Sequence, residues 1–296
     1  MATEKNAGRQ FPFEMTVRHG EGRLIPAFIR EGWMSFVGVL SGKVRIQAGL
    51  FSREAAEGEI LFVAPSRLLS CETVDGPAEI RLMTFHESIL SQNMDTIESE
   101  LLYMLTVQAK NLLFTFTSEH PLHAKLTALM DAAQDEYEAR EVCYAMPIRA
   151  NLYLMMTELL RHYGGEKRGD DRVIYHNVMR MKPVLDKIEC DYAGKMTIPA
   201  LAAELCLTPD HFTRIFREGV GVPPVEYINR VRLHHALALL AETDLPVSEV
   251  AGRSGFFSMQ YFYRIFRETL GNSPLAFRTL LAGGEAKGDR ADARTQ

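Results

Sequence analysis

The sequence predicts an α+β two-domain protein: a small β-sandwich or barrel with flanking helices, followed by an all-α domain in the last third. Three observations predict it. Short segments rich in Val, Ile and Phe, bounded by Gly or Pro, run from about residue 11 to 87; apolar residues fall at helical spacing from about 91; and the C-terminal part carries an internal repeat. A chain of 296 residues has room for two cores, because one core rarely grows past roughly 250–300 residues.

The strand candidates are Trp33–Leu40, Lys43–Ala48, Glu59–Ala64 and Glu79–His86, with Ser41-Gly42 as a hairpin turn between the first two. Val44 and Ile46 alternate with Lys43, Arg45 and Gln47, as a strand with one buried face requires. From 91 onward, Ile97, Leu101, Leu105 and Leu112 form one helical stripe, and Leu122, Leu126, Leu129 and Ala133 a second. After Pro147, Leu152, Met155, Met156, Leu159 and Leu160 form a third. Such stripes bury either against the β layer or against a second subunit, and the sequence favours neither. Gly164–Asp171 is polar and Gly-rich and predicts a linker; the small, charged residues beyond 282 predict a disordered tail.

The repeat carries most of the information. At an offset of 50 residues, Phe212-Thr213-Arg214-Ile215-Phe216-Arg217-Glu218 lies over Phe262-Tyr263-Arg264-Ile265-Phe266-Arg267-Glu268, and Gly221, Pro224 and Tyr227 over Gly271, Pro274 and Phe277. Upstream, Ile198, Leu201 and Ala202 match Val247, Val250 and Ala251 at 49, so the second unit has one extra turn residue. Each unit reads as helix, short turn, helix. Thr208 and Ser258 are placed as N-caps of the second helices, with Pro209 at the first helical position. Phe212, Ile215 and Phe216, and Phe262, Ile265 and Phe266, are the inward residues. Gly255 supplies the flexible turn. Val225–Leu240 reads as one long connecting helix, on which His234 and His235 are surface or core histidines rather than a metal pair.

This stretch, ending in VSEVAGRSGFFSMQYFYRIFRETLGNSPLAFR over residues 247–278, resembles the DNA-binding domain of the AraC/XylS family of bacterial transcription regulators. The resemblance covers residues 175–281 and implies a tandem helix-turn-helix domain that reads two adjacent half-sites of double-stranded DNA. Physically, a rigid connecting helix can hold two recognition helices about 34 Å apart, one helical turn of DNA. With the phenylalanines and isoleucines inward, Asp210, Thr213, Arg214 and Arg217 face outward in the first unit. Gln260, Tyr261, Tyr263, Arg264 and Arg267 do so in the second. Arg suits guanine and Gln adenine, and the resemblance likewise implies base contacts around Asp210, Thr213, Arg214, Gln260 and Arg264. Arg217, Arg267 and the caps Thr208 and Ser258 are placed on phosphates. Arg214 and Arg264 have a rival role, pairing with a helix glutamate. Asp210 reads either cytosine N4 or stabilises its helix N-terminus.

The family commonly carries a cupin-type barrel before this domain, and Gly58–Pro65 fits such a strand–turn run. The expected division is therefore 1–90 cupin-like sensor barrel, 91–165 helical dimerisation or packing segment, 166–174 linker, 175–281 DNA-binding domain and 282–296 tail. A metal-dependent barrel enzyme would need clustered His and Glu ligands, but His19, His86 and His120 are isolated in sequence, and Ser66-Arg67-Leu68-Leu69 follows Pro65 where a ligand histidine often sits. No enzyme, metal or cofactor is expected. The resemblance implies a small-molecule effector, by default a sugar. Trp33 could stack on it and Arg23 or His86 hydrogen-bond it, although Trp33 as plain core fits equally.

Composition agrees without deciding. The net charge is −5, and residues 172–281 are mildly basic, with 13 Lys+Arg against 11 Asp+Glu. The four cysteines form no CxxC pair and read as packed, reduced thiols. MATEKNAGRQ lacks the apolar core of a signal peptide and no apolar run reaches membrane-spanning length, which predicts a cytoplasmic protein. The leading reading is a homodimeric, effector-responsive transcription activator that recruits RNA polymerase. A barrel enzyme with a DNA-binding appendage and a regulator answering a partner protein are the alternatives.

Overall fold

The computed structural model describes residues 11–65, 67–91, 102–103, 106–107, 113–163 and 171–282. The N-terminal half is built from two β-sheets. One holds β1 (Phe13–Gly20), β3 (Trp33–Ser41), β6 (Ile60–Val63), β8 (Ala78–His86) and β9 (Phe114–Phe116), in the order β1-β8-β3-β6-β9. The other holds β2 (Arg23–Phe28), β4 (Lys43–Ala48), β5 (Phe51–Ala56) and β7 (Leu69–Thr73), in the order β2-β7-β4-β5. All the pairings are antiparallel. The sheets stack without closing into one hydrogen-bonded cylinder, so the expected barrel is an open two-sheet sandwich.

The four expected strands are present to within a residue or two. β1, β2, β5 and β7 are not among them, because they are short or, like FSREAA in β5, carry little apolar signal. β9 lies inside the segment expected to be helical. It is only three residues long, and its aromatics Phe114 and Phe116 are buried by the sheet it joins.

Two layers of core explain the patterning. Val37, Val39, Leu61, Ile80 and Leu82 of the first sheet meet Ile25, Val44, Ile46, Leu69 and Cys71 of the second. The opposite face of the first sheet presents Phe36, Phe62, Phe85, Phe114 and Phe116 to two helices, α2 (His123–Ala139) and α3 (Ala145–Tyr163). Its strands β3 and β6 are thus buried on both faces and read as continuous apolar runs, whereas β4 alternates. Leu126, Met130 and Ala133 of α2, and Leu152, Met155, Met156 and Leu159 of α3, pack on this sheet. The second and third stripes therefore pack on the β layer. A four-residue helix, α1 (Ser88–Ser91), follows β8. The first expected stripe, Ile97 to Leu112, lies outside the described residues.

Helix α4 (Asp171–Asp191) opens the C-terminal half and begins within the span expected as linker; residues 164–170 lie outside the described residues. Then come α5 (Ile198–Glu204), α6 (Pro209–Val220), α7 (Pro224–Glu242), α8 (Val247–Arg253), α9 (Met259–Leu270) and α10 (Pro274–Ala282). The expected tail beyond 282 is likewise outside them.

Cys71 is buried between the sheets and burial pushes its thiol up to about 12, while Cys143, Cys190 and Cys206 are exposed. Because the thiolate is the nucleophile, iodoacetamide should label the native protein at the three exposed cysteines and reach Cys71 only in denaturant. Intact mass checks this: a fourth adduct under native conditions, formed as fast as the others, would contradict the sandwich packing.

Candidate nucleic-acid interface

Each C-terminal unit is assembled by local chemistry visible in its residues. In the first, α5 is capped by Thr197, whose side-chain oxygen accepts from the Ala200 amide at 3.4 Å. The Thr208 hydroxyl accepts from the His211 amide at 3.4 Å and starts α6. In the second, the Ser258 hydroxyl accepts from the Tyr261 amide at 3.3 Å and starts α9. Both second helices end on a left-handed glycine, Gly221 (φ 87°) and Gly271 (φ 74°), a conformation that L side chains avoid. Four residues separate α5 from α6 and five separate α8 from α9, which is the one-residue difference between the units.

The inward residues form two cores. Phe212, Ile215 and Phe216 pack with Leu201, Ala202, Tyr227 and Val231, and Phe262 and Phe266 with Val250, Ala251, Phe256, Leu237 and Phe277. Ile265 packs against the second core only partly buried. Helix α7 contributes to both cores, so the units share a rigid strut. The Arg232 guanidinium of α7 donates to the carbonyls of Tyr192 (2.9 Å) and Gly194 (2.8 Å) at the end of the first unit's α4. His235 stacks on Tyr192 with ring centroids 3.6 Å apart, and His234 is buried. Gly255 sits against the same loop: a Cβ there would fall 2.5 Å from the Tyr192 carbonyl oxygen and 2.8 Å from the Ala193 Cα.

What the strut leaves outward is a polar face on each second helix. Asp210, Thr213, Arg214 and Arg217 line one open groove along α6, together with Glu218. Arg214 pairs with Glu218 at 2.9 Å and Arg264 with Glu268 at 3.0 Å, the same i,i+4 pair in both units. Glu218 also accepts from the buried Asn177 of α4 at 3.3 Å. These exposed pairs contribute little stability; they hold each guanidinium on the outer face. Thr208, Ser258, Gln260, Arg217 and Arg267 are exposed. Tyr261 and Tyr263 are half-buried on the flanks of α9, and Asn229 of α7 donates to the Tyr261 hydroxyl at 2.7 Å. The sequence carried no sign of that tie, since Asn229 is an isolated polar residue in an otherwise apolar helix stripe.

Two capped recognition helices on one strut are the architecture of a tandem helix-turn-helix module, and residues 201–279 match the family model described as a helix-turn-helix domain. The chain is similar to YijO of Escherichia coli, an HTH-type transcriptional regulator, with 35% identity over 95 residues. That match covers 32% of this chain and 34% of YijO, so the chain spans about a third of that relative. It is also similar to the HTH-type transcriptional regulator YpdC of Escherichia coli, 24% identical over 219 residues, 74% of this chain and 72% of YpdC. By structure it shares the fold of ToxT from Vibrio cholerae, with a TM-score of 0.51 and 18% identity over 92% of this chain and 100% of that one.

Residues 201–279 are thus a helix-turn-helix domain of the kind carried by HTH-type transcriptional regulators. The sandwich docks onto the helix-turn-helix units through two adjacent loops, tied where the Gly49 amide donates to the Leu68 carbonyl at 2.7 Å. Leu68 is fully buried in the second unit's core, with Leu50, Ala27 and Ile29 packed against it. Arg67 lies beside Glu189 of α4 and Tyr227 of α7, and burial pulls its basicity down while Glu189 opposes that. The Tyr227 hydroxyl donates to Glu189 at 3.0 Å, and burial with that carboxylate raises its pKa well above the usual tyrosine value. A void of about 10 Å³ is all that remains between Arg67, Tyr227 and Arg230, room for a single water. No periodicity in Ser66-Arg67-Leu68-Leu69 announces this docking, because it depends on where a remote helix lies.

The three candidate effector residues fall in two places. Trp33 and His86 are cross-strand partners at one end of the first sheet, with rings 5.9 Å apart. Arg30 covers the Trp33 ring at 3.4 Å, and the His86 imidazole bonds Ser88 at 2.9 Å. Arg23 lies on the other sheet, where it lines a cleft of about 340 Å³ with Arg45, Gln47, Ser70, Asn272 and Phe277. His19 of β1 pairs with Glu79 near the start of β8, whereas His86 ends β8 opposite Trp33, so the two histidines stand at opposite ends of the sheet. No helix among the described residues is long and apolar enough to cross a membrane.

Proposed function

We propose that the protein is a cytoplasmic, sequence-specific transcription regulator that reads two adjacent half-sites of double-stranded DNA. The observation that carries this reading is the duplication: two capped helices with the same inward phenylalanines and the same outward arginine, held on one strut. Asp210, Thr213, Arg214, Gln260 and Arg264 contact bases, and Arg217, Arg267 and the caps Thr208 and Ser258 hold phosphates. The half-buried Tyr261 and Tyr263 complete the second unit's DNA face. Residues 175–281 act as the DNA-binding domain, 1–90 as the sensor, 91–165 as the dimerisation and packing segment and 166–174 as the linker.

Regulation runs through the Arg67–Leu68 docking, which links the sandwich to both units at once. A small-molecule effector that strains or reinforces this contact shifts how the recognition helices are presented. The family makes a sugar the default effector; ToxT has been captured with a bound naphthalenyl-butenoic acid, so a regulator of this fold also takes up a carboxylic acid. The interdomain cleft holding Arg23 supports a polar ligand there better than one between the aliphatic-filled sheets. Val142, Met146 and Leu154 stand exposed on and beside α3 and support homodimerisation through that helix. Activation by recruiting RNA polymerase completes the reading.

Arg264→Ala tests it. Against a duplex selected from a random library by the wild-type protein, the variant should lose about 1–3 kcal/mol and relax preference at one base pair. Unchanged affinity and unchanged preference would remove Arg264 from the reading face.

A further inference from the structure

The second unit leaves two large apolar side chains in water where its recognition helix begins. Phe257 is 75% exposed and Met259 38% exposed, one on either side of the cap Ser258. Neither is needed by the core. Phe256, the preceding residue, fills that role with its ring 5.0 Å from Phe262. The neighbour of the Phe257 ring is the Arg232 guanidinium, 5.9 Å away. The first unit has no such lip. At the 50-residue offset the matching positions are Leu207, half-buried against its own core, and Pro209, the first residue of α6.

Helix N-termini enter the major groove in modules of this kind. The floor of that groove carries donors, acceptors and one apolar group, the C5-methyl of thymine. An exposed apolar lip around the cap of a groove-entering helix therefore has one complementary feature on the DNA. We infer that Phe257 and Met259 read thymine methyl groups at the entry edge of the second half-site, a preference the first unit lacks. The inference rests on the DNA-reading role of α9.

Deoxyuridine, which is thymine without its methyl, isolates the contact while keeping every hydrogen bond. The full-length protein should be titrated with its library-selected duplex, each thymine replaced by deoxyuridine in turn. Wild type should weaken about fourfold at one or two thymines of the second half-site, the worth of one buried methyl group. Phe257→Ser and Met259→Gln, whose positions are exposed and whose melting temperatures should match wild type, should bind the thymine duplex less tightly and lose that sensitivity. Wild-type affinity that stays within twofold at every substituted thymine would overturn the inference, as would variants that keep full deoxyuridine sensitivity. If methyl removal has no effect while Phe257→Ser still reduces transcription by RNA polymerase, the lip belongs to a protein contact instead. Failure of the underlying reading looks different: no enriched sequence, and an Arg264→Ala protein that binds DNA as wild type does.

Discussion

Leu68→Ala is expected to destabilise the docked protein by about 2–5 kcal/mol, the usual range for truncating a buried leucine. Leu68 belongs by sequence to the sandwich and by packing to the second helix-turn-helix unit, where it contacts the cluster that includes Leu233, Leu237, Phe266 and Phe277. The substitution therefore opens a cavity at a joint between domains. Hydrogen exchange distinguishes that from a local defect. Amides of the Gly49–Phe51 loop and of α7 should lose protection together, while the strands of the first sheet keep theirs. Loss confined to the loop carrying Leu68 would mean that this contact does not couple the domains, and the proposed route of regulation would fall with it.

Gly255→Ala is expected to cost more than about 2 kcal/mol, unusually large for adding one methyl group. Two effects combine. Gly255 has φ of 82°, where an L residue is strained by about 1–2 kcal/mol. Its added Cβ would also press on the Tyr192 carbonyl oxygen and the Ala193 Cα, backbone atoms that cannot rotate away. The relief open to the protein is to move the second unit's turn off the first unit, disturbing the Arg232 bonds to Tyr192 and Gly194. Chemical denaturation should show the loss, and affinity for a two-half-site duplex should fall more than affinity for either half-site alone. A stability change below about 0.5 kcal/mol would show that the two units are not in contact through this glycine.

Much of this protein is local in its causes. The caps Thr208 and Ser258, the terminal glycines Gly221 and Gly271 and the phenylalanine periodicity act within one or two helical turns. For that reason both recognition helices were legible in the sequence, down to the extra turn residue. Strand β3, buried on both faces, was legible for the same reason: its apolar run is long. Strands β1, β2, β5 and β7 were not: β1, β2 and β7 are held by partners distant in the chain, and β5 carries few apolar side chains of its own.

Within the site, the sequence placed Arg214 and Arg264 on outer faces but left open whether a glutamate pairs with them. The structure supplies Glu218 and Glu268. It also turned Tyr261 partly inward through Asn229, and it separated Arg23 from Trp33 and His86. Periodicity could not give these results, since it fixes the face of a helix or strand but not what that face meets.

By itself, then, the sequence determined the two duplicated helix pairs, their cores, their caps and the outward arginines, because each depends on residues within a few positions of one another. Only the tertiary structure decided that the helices of the first half pack on the sheet, that the sandwich stays open and that Arg67 and Leu68 bridge the two domains. Those features depend on the meeting of surfaces that are remote in the chain. Burial at such a meeting follows from the shape and position of both partners, and neither partner's residues encode it alone.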